Sequence, residues 1–353
     1  MRSRILISQH VKVVEWISLK RNPIPILLSV LILAIVGLSL VAVPVAASGA
    51  GTWKTTTGYG NPVTATYGPS CVVSGGYVYC VGGDTSSGLT SAVYYARLLS
   101  SGGLSTLWWV TTPYLTPIIT QCVVHGAYIY CVGGLTTSVV TGYVYFAKLS
   151  SSGVGTWNTV TGYPTPIDAQ SCVVSGSYIY CVGGNTGSAD TRSVYFAPLS
   201  SSGVGVWKKT TPYPTPVEAQ SCVVHGAYIY CVGGLTTSVV TGYVYFASLS
   251  SSGVGTWKST TNNYPINIAG QRCVLSGSYV YCVGGFRTTT SVVTSAVYFA
   301  KLSSSAGVGT WKSTTSYPTH IGEQSCVVSG GYVYCAGGFN GVSPTSAVYF
   351  ASV

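Results

Sequence analysis

Twelve cysteines fall in six pairs, the members of each pair nine residues apart, and every pair lies inside one copy of a string that recurs about every 50 residues. The copies read CVVSGGYVYCVGG, CVVHGAYIYCVGG, CVVSGSYIYCVGG, CVVHGAYIYCVGG again, CVLSGSYVYCVGG and CVVSGGYVYCAGG. Each is followed by a VYFA-like string, VYYA at Val93 in the first copy, and a Trp recurs with the same period: Trp53 before the first copy, then Trp109, Trp157, Trp207, Trp257 and Trp311. Residues Cys122 to Ala147 are identical to Cys222 to Ala247, the mark of duplication within the array. Within a unit, four short runs rich in Val, Ile, Tyr and Thr are bounded by Gly, Ser and Pro, as half-buried strands require. A period of this length with four strands per unit predicts a ring of small antiparallel sheets.

The cysteine spacing carries a pairing. Between Cys71 and Cys80 lies a two-residue Gly75-Gly76 turn. Antiparallel register about that turn sets 74 opposite 77, 73 opposite 78, 72 opposite 79 and 71 opposite 80. Counting outward from a hydrogen-bonded 74:77 pair makes 71:80 a non-hydrogen-bonded pair, where Cα atoms come within about 4.5 Å. A disulfide spans that distance. The same register predicts Cys122–Cys131, Cys172–Cys181, Cys222–Cys231, Cys273–Cys282 and Cys326–Cys335. Six such bridges imply an oxidising exterior or a very hot one. Zinc is disfavoured, because its knuckles bring together pairs spaced two to four residues apart, whereas these pairs lie in separate units.

The units resemble the kelch repeat family. The resemblance is carried by the Gly pairs (Gly82-Gly83, Gly133-Gly134, Gly183-Gly184, Gly233-Gly234, Gly284-Gly285, Gly337-Gly338), by a third-strand Tyr (Tyr145, Tyr195, Tyr245) and by the Trp about twelve residues later. It recurs six times and implies an all-β, six-bladed kelch-like β-propeller, a fold that mostly serves protein binding and occasionally hosts enzymes. Two cysteines per blade and few charged turns depart from the usual pattern. The array begins with an outer-type strand around Trp53 and ends just after a third-type strand, Ala347 to Ser352. The Gly51 to Thr57 segment is therefore expected to complete the sixth blade and remove an exposed sheet edge.

Of 16 Lys and Arg, five (Arg2, Arg4, Lys12, Lys20, Arg21) precede a segment without charge from Ile24 to Ala47, opposed only by Glu15. The stretch between Pro25 and Pro44 is 18 residues, roughly 27 Å as a helix, close to the hydrocarbon thickness of a bilayer. The cations place the N-terminus in the cytoplasm and the repeats outside. The expected organisation is a basic cytoplasmic tail over residues 1–23, a transmembrane signal-anchor helix over 24–47 and an extracellular propeller over 48–353. Cleavage after Val45-Ala46-Ala47, giving a secreted protein, is the competing reading. The remaining cations form no basic run, which argues against nucleic acid despite a net charge of +10.

Chemistry is sparse. The copper-oxidase type within this resemblance would need a free cysteine, and every cysteine has a partner. The Gly-Gly and GVG strings precede no helix that could hold a phosphate. His125 and His225 flank turns where other copies carry Ser. No enzyme, cofactor or metal is expected. Charge placement points instead to one end of the ring. Asp84, Asp168, Asp190, Arg192, Glu218, Arg272, Arg287, His320 and Glu323 fall in loops that emerge there, and Gln121, Gln170, Gln220, Gln271 and Gln324 enter the first strands at the same end. Lys54, Arg97, Lys148, Lys208, Lys209, Lys258, Lys301 and Lys312 map to the outer strands. The expected function is recognition of a protein or glycan through that loop end. The alternative is a structural surface protein of a cell envelope or virus particle, archaeal among the options, packing laterally against copies. The oligomeric state is open.

Overall fold

The computed structural model describes residues 49–60, 64–237, 239–287, 292–303 and 307–353. The basic tail and anchor segment lie outside them. Among the described residues every regular element is a strand, and no helix is long and apolar enough to cross a membrane.

Six antiparallel sheets follow one another along the chain, and a seventh, small one joins Thr66–Tyr67, Asp84–Thr85 and Gly88–Leu89. The third is typical: Ser171–Ser175 pairs with Tyr178–Val182, which pairs with Val194–Ser200, which pairs with Lys208–Lys209. The innermost strands of the six are Ser70–Ser74, Ile118–His125, Ser171–Ser175, Ser221–His225, Arg272–Ser276 and Ser325–Ser329. Each neighbours the next, and the sixth neighbours the first, so the sheets stand as blades around an axis. Closure follows the sequence expectation. Lys54–Thr55 is the outer strand of blade 6, with Lys54 opposite Phe350 and Thr55 opposite Tyr349, and Gly51 N–H donates to the Ser352 carbonyl at 2.9 Å.

The core is divided among the interfaces between blades. One cluster joins Val123, Tyr130, Val132 and Phe146 of blade 2 to Cys172, Ile179, Cys181 and Ala197 of blade 3, and five equivalents complete the ring. This is why second strands such as Tyr178–Val182 are apolar on both faces: each is covered by a neighbour on either side. Four second-strand tyrosines are bonded across these interfaces. Tyr79, Tyr130, Tyr180 and Tyr230 donate their hydroxyls to Ser150, Ser200, Ser250 and Ser303 carbonyls of the next blade at 2.6 to 2.7 Å.

The repeated signatures acquire physical reasons. Each Gly pair receives the chain entering the next blade, as when Gly184 N–H donates to the Val217 carbonyl at 2.7 Å. Gly184 has φ +102°, and a Cβ there would lie 2.6 Å from the Asp168 carbonyl oxygen, so only glycine fits. Each blade Trp packs edge-on against a Tyr of the incoming connection, Trp157 on Tyr114 and Trp207 on Tyr163 at 4.9 Å, while its indole N–H bonds a carbonyl there. In blade 1 this residue is Trp108, not Trp109. Trp108 is 1% exposed and rests on Tyr59, whereas Trp109 is 37% exposed in the outer strand. The six disulfides join the pairs predicted from register, with Cα–Cα separations of 4.0 to 4.1 Å.

Candidate binding mouth

Five blades enter their inner strand through a residue in the left-handed region: Gly68, Ala169, Ala219, Gly270 and Glu323, with φ between +52° and +64°. The backbones of these residues are linked around the axis. Ala219 N–H donates to Ala169, Gly270 to Ala219, Glu323 to Gly270 and Gly68 to Glu323, all at 2.8 to 2.9 Å. Four of the five carry little or no side chain. Glu323 is the exception.

Blade 2 lacks this residue. Its Tyr114-to-Cys122 spacing is eight residues, against nine for Tyr163–Cys172, Tyr213–Cys222, Tyr264–Cys273 and Tyr317–Cys326, and its inner strand runs straight through as Ile118–His125. The deletion separates Gln121 from the other glutamines. Gln170, Gln220, Gln271 and Gln324 are buried, each donating Nε2 to a Val carbonyl of the preceding blade at 2.7 Å. They join blade to blade. Gln121 stands one position further in, directly before its cysteine, where other blades carry Ser70, Ser171, Ser221 and Ser325 and blade 5 carries Arg272. Blades 2 and 5 face each other across the ring, and Arg272 Nη1 meets Gln121 Oε1 at 3.4 Å.

Above this crossing lies a cavity of about 270 Å³, lined among others by Tyr67, Asp168, Gln170, Gln220, Gln271, Arg272 and Glu323. Asp84 lies beside it, accepting the Tyr67 hydroxyl at 2.8 Å. Asp190 accepts from Asn185 at 2.8 Å. Glu218 is half-buried, and Arg192, Arg287 and His320 are exposed in the surrounding loops. His125 and His225 end inner strands beside their turns. The eight cations assigned to the outer surface are exposed there, on third and outer strands.

Electrostatically the mouth is a carboxylate cluster held in poor solvent. Burial, then the charges of Asp190 and Asp168, push the Glu218 carboxyl up from 4.5 to about 7. Burial raises Asp168, against the Ala169 N–H bond that lowers it. Glu323 is raised by burial and by Asp168, with Arg272 opposing, and desolvation in the channel lowers the Arg272 guanidinium. Among the described residues no group of three or more metal-ligating side chains forms.

One feature of the mouth has no polar signal in the sequence. Val139, Val239 and Val292 occupy the same position at the tips of the loops between second and third strands, each accepting a backbone bond that closes the loop. With Val342 in the blade 6 loop, 88% exposed, they put apolar groups on these tips. Counting back five residues from the VYFA-like strings at Val144, Val244 and Val297 would have found the first three, though not Val342.

The solved structure titled "Structure of YjhT", a kelch-type β-propeller, matches with a TM-score of 0.67 over 80% of this chain and 94% of that one. The chain folds as a β-propeller. At 12% identity the likeness carries the architecture and nothing about ligand or activity. No protein-family model and no curated protein matches the sequence.

Proposed function

We propose that this chain is a membrane-anchored extracellular binding module of kelch-like type, recognising a protein or glycan non-covalently through the mouth of its propeller. The observation that carries this reading is convergence. All five carboxylates of the described residues gather at one end, around a cavity of about 270 Å³. Apolar loop tips and a polar, partly desolvated centre resemble the anatomy of protein interfaces. The cavity is smaller than a typical drug-sized pocket, so a partner would engage the loop tips and insert only a small group. The six disulfides support an oxidising exterior, in keeping with an anchor that leaves the propeller outside.

The test is a binding titration of full-length protein against native cell or particle surface. Asp168→Lys and Val342→Asp at the mouth should weaken binding about tenfold or more, while Lys258→Glu on an outer strand stays within about twofold. Loss confined to Lys258→Glu, with ordered polymer on a sizing column, would replace this reading with lateral assembly.

A further inference from the structure

Below the crossing of Arg272 and Gln121 lies a second chamber of about 130 Å³. Its wall consists of Ser171, Ser221, Ser325, Arg272, Gln121 and inner-strand cysteines already bound in disulfides, with no carboxylate among them. All the acids of the mouth lie on the other side of the crossing.

The wall is rich in donors. The Ser171, Ser221 and Ser325 hydroxyl oxygens each accept the backbone N–H of the following blade's cysteine, from Cys222 at 3.0 Å, Cys273 at 2.9 Å and Cys71 at 2.9 Å. A hydroxyl that accepts such a bond retains its own hydrogen as a donor. Arg272 adds a guanidinium with five N–H groups, of which Nη1 makes one long bond to Gln121 and Nε has no partner. A cation held out of water needs a counter-charge or a full set of hydrogen bonds. Glu323 acts on it from the mouth side and does not line this chamber.

We propose that the lower chamber is a binding site for one small monovalent inorganic anion of halide type, held by Arg272 and the hydroxyls of Ser171, Ser221 and Ser325. One guanidinium balances one negative charge, and a divalent anion would leave a buried excess. The volume equals roughly four waters at about 30 Å³ each, enough for a halide with part of its hydration and too little for an extended organic acid. Two members of the sixfold ring depart from serine, Gln121 and Arg272, and a ring of serines that cap neighbouring strands becomes an anion site where one of the two is Arg. The proposal goes beyond the mouth reading, because it uses none of the mouth carboxylates.

The test uses full-length protein and chloride or bromide as the probe. Thermal unfolding is followed while sodium chloride replaces sodium gluconate at constant ionic strength and pH. A ligand of the folded state raises the midpoint in a saturable way, and the expected result is such a rise with chloride and bromide. Arg272→Ser installs the residue that four other blades carry, and it should weaken the halide response by about tenfold or more, while Lys258→Ser on an outer strand keeps it. Crystals grown in bromide should show an anomalous peak between Arg272 and the three serines. An Arg272→Ser protein with an undiminished response, or a bromide map without a peak in the chamber, overturns the proposal. If that variant does not fold, the bromide map of the unaltered protein decides alone.

Discussion

Glu218 is the residue whose environment reaches furthest into measurable behaviour. Its carboxyl is lifted from 4.5 to about 7 by burial and by its acidic neighbours, so the folded state holds the proton more tightly than the unfolded chain does. The stabilisation this provides is full below about pH 4.5 and is lost as pH rises through 7. Asp168 and Glu323 are shifted in the same sense. Denaturation at a series of pH values should therefore show stability falling from pH 4.5 to 7, and Glu218→Gln should flatten part of that slope. A second residue-scale prediction separates the adjacent tryptophans. Trp108→Ala removes a buried indole packed on Tyr59 and should cost about 3 to 5 kcal/mol; Trp109→Ala, at the surface, should cost far less. Urea titration of both variants checks this. A Trp recurring with the period was legible in the sequence, but which of two neighbours faces the core depends on a register that residue type does not reveal.

At the scale of elements, the inner hairpin of each blade is closed twice, by its turn and by its disulfide. Replacing both Cys172 and Cys181 with Ser should cost at most about 2.7 kcal/mol, the loop-entropy figure for ten residues, because the turn already restricts the unfolded chain. Thermal unfolding of that variant should show a lowered midpoint with the blade retained. Blades 2 and 4 show how far an element depends on what precedes it. Their Cys-to-Ala segments are identical, yet blade 2 continues its second strand to Thr136 and its third from Val140, while blade 4 has Tyr228–Val232 and Val244–Ser250. The shorter entry to blade 2 omits the left-handed residue, and Ile118 and Ile119 pair with Thr136 and Leu135 beyond a register shift between Val132 and Leu135. The missing residue was visible as a spacing of eight; its effect on Gln121 was not, because the sequence alone does not say what lies across the axis.

For the whole molecule, stability is a property of the closed ring, since each apolar cluster belongs to two blades. Deleting Gly51 to Thr57 removes the strand on Val348–Ser352 together with Trp53, which packs on Tyr317. That variant should unfold at lower temperature and self-associate through the bared edge, as sizing chromatography and scanning calorimetry would register. A monomer of unchanged midpoint would mean that closure contributes little. In the intact protein the shared interfaces predict one cooperative thermal transition rather than blade-by-blade melting.

The sequence by itself determined the all-β class, the number of units, the register of every disulfide and the strand exchange that closes the ring. These follow from local periodicity, and a repeat states its local geometry six times over. It also determined that the acids share one end, because strand direction sends alternate loops to opposite ends of a blade. Only the tertiary structure decided which polar residues bond between blades and which meet over the axis. Gln170, Gln220 and Gln271 line the mouth as the chain suggests, and together with Gln324 they also bond blade to blade. Arg272 and Gln121, 151 residues apart, meet over the axis. Such a meeting depends on how many blades lie between two positions and on which way each side chain turns, and ring closure sets both.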